Sequence, residues 1–439
     1  MHIFYFKYPL LKARFLILLL SFLMLFLSAC SSNKNVQNTP AFKIVESSVA
    51  KDVKKIGTKH IPIYPGDVFS SEDRVVVSYT KFGNLHGEHK VKWQWYAPDG
   101  NLYFSTKNYT IQTTKKKYAE EATVWHKISV KDEKAEELPG KWKVVVYMDD
   151  AIISSKDFKI VDDSKFIVDV NIPATGMRNP DSIAVVIGNK YYKDHDIPNV
   201  AFARSDAESV KNYLIATLGY KEENIFLELD ASKTKFDELF GISGEHRGML
   251  FEYIKPSKSD VFVYYSGHGA PDTRTNKGYL MPSDCNPARI AFSGYSLNLF
   301  YENLSKLETR KTVVVLDACF SGGTDSGKWL ISEASPALIK VENPIISNNT
   351  MVVLTSSKGN QISSWYSDKR HGLFTYFFLK AICGAADTDK DKELTFDEIY
   401  SYVSDRSEGV PYWAKRLHKG RIQEPTFQGL NTNNVFVKY

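Results

Sequence analysis

The chain has 439 residues, a formal net charge of +5, 43% hydrophobic and 24% charged residues, and four cysteines. This length predicts two or three domains that bury a core without disulfides, and the ordinary composition excludes a disordered or collagen-like chain. Three basic residues lie in a segment that we expect to be removed, so the mature charge is 5 − 3 = +2, which gives no electrostatic basis for nucleic-acid binding.

The N-terminal segment has the pattern of an export signal. Basic residues precede an apolar run, Phe15–Leu27, whose 13 residues are too few to span a bilayer as a helix. The following Leu-Ser-Ala-Cys resembles the bacterial lipobox, which implies removal of residues 1–29 and membrane attachment through a lipidated Cys30. Ser31 resembles the outer-membrane sorting pattern, and residues 30–42 would form a polar tether. The alternatives are a plain signal peptide or a membrane anchor.

The other three cysteines indicate neither a disulfide framework nor a zinc site. They are odd in number, widely spaced and without a CxxC pair. They are Cys285, Cys319 and Cys383. An exported protein that keeps such thiols is expected to have a use for one of them.

Residues 43–161 predict an all-β domain. Strand-like segments such as Lys90–Tyr96 are separated by turn sequences such as Pro98-Asp99-Gly100. Alternation in this segment places Trp93 and Trp95 on one face, where we expect them to form core. The spacing favours an immunoglobulin-like β-sandwich, in which nothing indicates catalysis.

After a connector at residues 162–181 the pattern changes to Val- and Ile-rich runs that alternate with helical segments up to residue 439. Runs of this kind predict strands buried on both faces, and helical crossovers predict a mostly parallel sheet flanked by helices, an α/β fold. The runs are Ile183–Ile187, Ile225–Leu229, Val261–Tyr265, Thr312–Leu316 and Met351–Leu354, and two of the helical segments are Ala207–Leu218 and Leu373–Ile382.

Two of these runs end in reactive residues. Val261–Tyr265 leads to His268 and Gly269, and Thr312–Leu316 leads to Cys319. Ligands bind beyond the carboxyl ends of the strands in such sheets, so parallel neighbours would bring His268 and Cys319 to one edge. A histidine partner makes a thiol nucleophilic, and the N–H groups of Gly269 and Cys319 could hold the oxyanion of an attacked carbonyl.

Tyr-Ser-Gly-His-Gly followed, 51 residues after the His, by Asp-Ala-Cys-Phe-Ser-Gly-Gly resembles the caspase-type cysteine peptidases, in particular their bacterial metacaspase-like members. The resemblance covers about residues 182–429. It implies hydrolysis of a protein or peptide substrate by His268 and Cys319, with no cofactor required for the chemistry. Ala203 and Phe320 depart from the metacaspase pattern, which often has Cys and His at these positions.

The resemblance also places Asp206, Ser266 and Asp317 in the pocket for the side chain before the scissile bond. Two carboxylates in a partly dry pocket favour Arg or Lys and penalise an acidic side chain. The alternative for Asp206 is a place in the first turn of a helix, where its charge suits the helix dipole, after a cap by Ser205 with Glu208 completing the capping box. The alternative for Asp317 is a cap of the loop after its strand.

The C-terminal region also allows a self-cleavage site and two rival functions. A self-cleavage site is one possibility for residues 326–340, and no third catalytic residue is assigned. One rival to the peptidase is a silent scaffold of the cell envelope, and another is a peptidase that cleaves after Asp or an uncharged residue. Oligomeric state is not indicated.

The segment Asp387–Glu398 has the ligand spacing of an EF-hand calcium loop. Oxygen ligands stand at loop positions 1, 3, 5, 7, 9 and 12. They are Asp387, Asp389, Asp391, Glu393, Thr395 and Glu398. Lys392 stands where the sharp turn usually requires Gly, and Thr395 with Glu398 alternatively forms a capping box for the next helix. Calcium is therefore a possible ligand.

Overall fold

The fold is that of a computed structural model, which describes residues 42–112, 119–163, 166–320, 350–429 and 434–439. The export signal, Cys30, the tether up to residue 41 and the hypothetical self-cleavage segment lie outside the described residues. Within these ranges, no helix combines the length and apolarity needed to cross a membrane.

The N-terminal region is all-β, as predicted, and forms two sheets. One has the strand order β2-β1-β4-β8, and the other has the order β3-β10-β9-β5-β6 with β7 also paired to β5. Its ten strands are β1 (Lys43–Ile56), β2 (Lys59–Pro65), β3 (Val68–Ser70), β4 (Val75–Leu85), β5 (Glu88–Tyr96), β6 (Leu102–Ser105), β7 (Tyr109–Gln112), β8 (Ala119–Ser129), β9 (Gly140–Met148) and β10 (Ala151–Val161). Both sheets contribute to one core, and Trp93 and Trp95 are buried in it as their alternation predicts.

The C-terminal region is built on a six-stranded sheet of order β12-β11-β13-β17-β18-β22. The first five strands are parallel and match the five apolar runs, whereas β22 is antiparallel at the edge. The strands are β11 (Ile183–Gly188), β12 (Ile225–Leu229), β13 (Asp260–Ser266), β17 (Lys311–Asp317), β18 (Met351–Thr355) and β22 (Thr426–Gln428). Hydrophobic clusters cover both faces of this sheet, which confirms the predicted α/β fold.

Helices flank the sheet and short strands form its rim. The helices are α1 (Ala203–Ala216), α2 (Lys233–Phe240), α3 (Met249–Tyr253), α4 (Ile290–Ser293), α5 (Leu297–Ser305), α6 (Leu373–Lys380), α7 (Phe396–Ser404) and α8 (Val410–Leu417). The short strands are β14 (Gly269–Asp272), β15 (Lys277–Leu280), β16 (Tyr295–Ser296), β19 (Trp365–Tyr366), β20 (His371–Gly372), β21 (Glu393–Thr395) and β23 (Val435–Lys438). Helix α6 is entirely buried and continues into a wider turn, Ala381–Ala385.

The register between β13 and β17 positions the site. These strands are parallel, and Ser266 pairs with Asp317 at their carboxyl ends. His268 and Cys319 each follow two residues later, so both leave the sheet at the same edge, as the sequence predicts for parallel neighbours.

The two regions are joined by polar contacts between α8 and the loop around β3. The Tyr412 hydroxyl accepts hydrogen bonds from Asp67 N and Val68 N, both at 3.1 Å, and donates to Asp67 Oδ1 at 2.7 Å. Arg416 donates to the carbonyl oxygens of Tyr64 and Val68. A buried ion pair between Asp163 and Lys380 adds to the junction.

Candidate active site

The imidazole of His268 is buried and oriented by a backbone carbonyl. Its Nε2 lies 2.7 Å from the carbonyl oxygen of Pro198. A carbonyl oxygen only accepts, so Nε2 carries the proton and Nδ1 is the ring's proton acceptor. Burial lowers the pKa of His268 to about 4, although the Pro198 carbonyl favours the protonated form. The ring is therefore neutral at pH 7 and suited to accept a proton.

Aromatic and amide side chains hold the loop that carries His268. His268 N donates to the Tyr192 hydroxyl at 2.8 Å, and the Tyr265 hydroxyl donates to His268 O at 2.6 Å. The Asn189 amide, which is fully buried, bonds Ala231 and Met281 in the neighbouring loops. The segment Ile-Gly-Asn-Lys-Tyr-Tyr, which contains Asn189 and Tyr192, therefore fixes the position of the loop that carries His268.

The sulfur of Cys319 is held by a backbone N–H from the loop between β18 and β19. Ser363 N donates to Cys319 Sγ at 2.7 Å, and the thiol lies 3.7 Å from Ser363 O. Cys319 is 9% exposed and lines the cavity described below. An N–H group aimed at sulfur stabilises the thiolate form, which is the nucleophilic one.

Gly269 lies close to the backbone of Cys319. A Cβ on Gly269 would lie 2.5 Å from the carbonyl oxygen of Cys319 and 2.6 Å from the ring of Phe320. Only glycine allows this approach of the two backbones. The contact is with the carbonyl side of Cys319, and Gly269 is not among the residues that line the cavity described below, so the oxyanion role of the two N–H groups stays a prediction.

Asp206 is fully buried and belongs to a row of alternating charges. Its Oδ1 lies 2.6 Å from His371 Nδ1, its Oδ2 accepts from Gly372 N at 3.0 Å, and His371 Nε2 lies 3.0 Å from Asp169 Oδ2. Burial raises the pKa of Asp206 to about 6, the His371 hydrogen bond partly offsets this, and the charge of Asp317 adds to the rise. Asp206 does lie in the first turn of α1, but the capping box of Ser205 and Glu208 is wrong, because α1 begins after Phe202 and the Ser205 hydroxyl donates to Phe202 O.

His371 in this row is a protonated imidazole at neutral pH. It is 1% exposed, and burial alone would lower its pKa. Hydrogen bonds and charges from Asp169 and Asp206 outweigh burial and raise the pKa to about 9. The positive charge of His371 therefore offsets the negative charge of Asp206, one of the two carboxylates of the candidate substrate pocket.

Asp317 binds Ser363 and the start of α6. Its Oδ1 accepts from Ser363 Oγ at 2.6 Å, and its Oδ2 accepts from Thr375 Oγ1 at 2.7 Å and Thr375 N at 3.2 Å. Burial raises the pKa of Asp317 in spite of these hydrogen bonds. A Cβ on Gly372 would lie 2.3 Å from Asp317 Oδ2 and 3.2 Å from Asp206 Oδ2, so the two carboxylates face each other across this glycine. Asp317 therefore caps a distant helix and also borders the cavity.

One cavity of about 30 Å³ brings the candidates together. His268, Cys319, Asp206, Ser266 and Asp317 all line it. This volume holds about one water molecule and is too small for an arginine side chain, so neighbouring groups must move to admit one. Its other lining residues are Val200, Phe202, Gly267, Ala318, Ser363, Trp365 and Gly372.

Sequence reasoning missed four groups of this site. The Pro198 carbonyl has no residue-type signal, because any residue offers a carbonyl. Ser363 follows β18 at the carboxyl edge of the sheet, and this position could have indicated it. His371 and Asp169 are 202 residues apart, and nothing local to either one indicates their contact.

The calcium-loop candidates are only partly brought together. Carboxylate oxygens of Asp387, Asp389 and Asp391 lie within 4.8 Å of one another. The other three have different partners: Thr395 and Glu398 form the alternative capping box, and Glu393 pairs with Lys438 at 2.7 Å. Lys392 adopts φ 67°, so it supplies the left-handed turn for which Gly is usual.

The remaining two cysteines are buried thiols away from this cavity. Cys285 Sγ lies 3.3 Å from Ser293 Oγ, and burial raises the pKa of Cys285 to about 11. Cys383 Sγ bonds the carbonyl oxygen of Asn171, and burial raises its pKa too. Both are therefore protonated, poorly nucleophilic thiols at pH 7.

Comparisons with known proteins give one family match, and the structural likenesses are weak. No curated protein matches the chain. Caspase-1 from Spodoptera frugiperda is similar at 13% identity and a TM-score of 0.40, over 61% of this chain and 92% of its own. An immunoglobulin-like protein from Pseudomonas aeruginosa is similar at 12% identity and a TM-score of 0.18, over 27% of this chain and 96% of its own. Similarities this weak support no conclusion about this chain.

The family match is extensive. The caspase-domain model matches residues 181–436, which is more than half of the chain and includes every residue of the cavity. This chain therefore belongs to the caspase-domain peptidase family.

Proposed function

We propose that this caspase-family chain is a cysteine endopeptidase that cleaves peptide bonds after Arg or Lys. The observation that carries the proposal is the common cavity, in which a neutral buried histidine and a thiol lie beside two buried carboxylates. Membership of the caspase family supports the reaction type and a protein substrate. The metacaspase-like motifs support the basic preference.

In the proposed mechanism Cys319 Sγ attacks the carbonyl carbon and forms a C–S bond, while His268 Nδ1 takes the thiol proton. Backbone N–H groups of Gly269 and Cys319 hold the oxyanion. The C–N bond then breaks as His268 returns the proton to the leaving amine, which gives a thioester. Water, deprotonated by His268, hydrolyses the thioester and restores the thiol. The Pro198 carbonyl keeps the ring in the required tautomer.

The carboxylates support the substrate preference through charge. At pH 7 Asp206 is mostly ionised because its pKa is about 6, and it borders the cavity that the side chain before the scissile bond would enter. A guanidinium or ammonium group there gains a charge-assisted hydrogen bond, whereas an aspartate would be repelled.

The test is an assay of reporter peptides that end in Arg, Lys, Asp or Leu, with wild type, Cys319→Ala and Cys285→Ala. We expect cleavage after Arg and Lys that Cys319→Ala abolishes and that Cys285→Ala, the matched control with a buried inert thiol, retains. Turnover by Cys319→Ala would reject the mechanism, and cleavage only after Asp would reject the pocket assignment. Absence of turnover on all peptides would favour a silent scaffold.

A second proposal concerns calcium at the Asp387–Glu398 loop. Three carboxylates lie close together, and Asp387 Oδ1 is buried with no hydrogen-bond partner among the described residues. Repulsion between such groups is relieved by a hard cation. Calorimetry at millimolar calcium is expected to show binding that Asp389→Asn removes and that Asp397→Asn, in the same loop, retains. No heat for the wild type would end this proposal.

A third proposal concerns location. We propose that Cys30 is lipidated and attaches the protein to the outer membrane of the cell envelope. The support is the lipobox-like sequence and Ser31 after the cysteine. Radiolabelled palmitate should enter the wild-type chain and not the Cys30→Ala chain. Equal labelling of both would refute it.

A further inference from the structure

A large groove runs along the junction between the β-sandwich region and the caspase domain. It has a volume of about 1020 Å³, far larger than the active-site cavity. Strand β2 lines one side, and α8 with the segment after it lines the other. The apolar side chains of these elements, which we call the floor, are Pro62, Ile63, Pro411, Leu417 and Ile422. Ile422 is 68% exposed, so the apolar floor is open to solvent.

The rim of this groove is strongly basic. Six cationic side chains line it against one acid, Glu424, and this acid is already neutralised by Lys358 at 2.6 Å and Arg406 at 3.2 Å. The cations are Lys54, Arg406, Lys415, Arg416, Lys419 and Arg421. This local excess of positive charge contrasts with the net charge of only +5 over the whole chain.

Three of the cations are available to a ligand. Arg416 holds the two regions together, and Arg421 donates to Ser364 Oγ. Lys54, Lys415 and Lys419 are exposed, and none of them has an ion-pair partner among the described residues. They stand on both walls, because Lys54 belongs to the sandwich region and the other two to the caspase domain.

The groove is connected to the active site through one side chain. Gln423 lines the groove, accepts a hydrogen bond from Ser364 N at 2.9 Å and donates to Ser363 Oγ at 3.3 Å. Ser363 in turn donates its N–H to Cys319 Sγ. A chain lying in the groove is therefore separated from the nucleophile by the segment Ser363–Trp365.

We propose that this groove binds an acidic segment of the protein substrate, adjacent to the bond that is cleaved. The inference rests on the proposed peptidase function. Basic side chains on both walls attract carboxylates, and the apolar floor accepts an aliphatic residue between them. The β-sandwich region thereby supplies one wall of the substrate site and sets specificity away from the scissile bond.

The shape of the surface favours a peptide over an anionic membrane. A bilayer surface is flat, so it cannot bury the floor of a concave groove between two regions. An extended peptide can enter the groove and place an aliphatic side chain against its apolar lining.

The test uses the full chain in neutral detergent and a triple variant, Lys54→Ala with Lys415→Ala and Lys419→Ala. Internally quenched peptides carry Glu-Glu-Leu-Glu or Gln-Gln-Leu-Gln on one side of a central Arg, in both orientations. Exposed ion pairs contribute roughly twofold each, so the triple variant should raise KM for the acidic peptide about tenfold, with kcat and the KM of the neutral peptide unchanged. The matched control replaces three exposed sandwich lysines that do not line the groove, Lys107, Lys134 and Lys141.

Binding to Cys319→Ala separates this proposal from the proposed chemistry. Fluorescence anisotropy with the labelled acidic peptide should show binding that weakens with salt and is lost with the three added alanines. Binding without turnover by the wild type would support the groove and reject the peptidase. Equal affinity for acidic and neutral peptides, or binding to phosphatidylglycerol vesicles and not to peptide, would overturn the proposal.

Discussion

Replacing His371 with Gln tests the row of alternating charges behind the substrate pocket. The folded-state pKa of His371 is about 9 against 6.5 for an unperturbed histidine. A raised histidine pKa means that stabilisation is complete below about pH 6.5 and is lost as the pH rises through 9. At about 1.4 kcal/mol per pKa unit, the protonated ring contributes about 3 kcal/mol to the free energy of unfolding.

The assay is urea unfolding followed by tryptophan fluorescence between pH 6 and pH 9.5. The wild-type free energy of unfolding should fall by up to about 3 kcal/mol more than that of His371→Gln over this range. His195→Gln, which removes an exposed histidine, should follow the wild type. Parallel pH dependence in wild type and His371→Gln would refute the charged arrangement of Asp169, His371 and Asp206.

Three further predictions concern the pocket carboxylates and the junction between the two regions. The KM for Arg peptides should rise as the pH falls below about 6, because Asp206 is protonated there, and Asp206→Asn should remove this dependence. Gly372→Ala should lower the free energy of unfolding, measured by chemical denaturation, by about 1–3 kcal/mol and impair cleavage, because the alanine Cβ would lie 2.3 Å from Asp317 Oδ2. Asp163→Asn should lower the free energy of unfolding by about 3–5 kcal/mol, because it leaves Lys380 buried without its counter-ion.

Each of these predictions has a contrary outcome. An unchanged KM from pH 5 to 8 would mean that the Asp206 carboxylate does not meet the substrate. A fully active and stable Gly372→Ala would contradict the close approach of Asp317. For the junction, Asp163→Leu combined with Lys380→Met should recover most of the loss, and failure to recover it would show that the ion pair is not the cause.

The sequence by itself predicted the elements that depend on local patterns. The apolar runs became the five parallel strands, and their ends indicated where His268 and Cys319 would stand, because parallel strands present their carboxyl ends at one edge. The alternation of Trp93 and Trp95 likewise indicated the sandwich core. Such patterns can be recognised in the sequence because the faces of a strand that become buried are set by the order of apolar and polar side chains within that strand.

The tertiary structure alone decided which distant groups surround those residues. The Pro198 carbonyl lies 70 residues before His268, and a backbone group has no identity in the sequence. Asp169 and His371 approach each other only when the connector packs against α1 and β20. The basic groove requires both regions, since Lys54 and Lys415 stand on opposite walls. Long-range contacts of this kind leave no periodicity in the chain, because they follow from how finished elements pack.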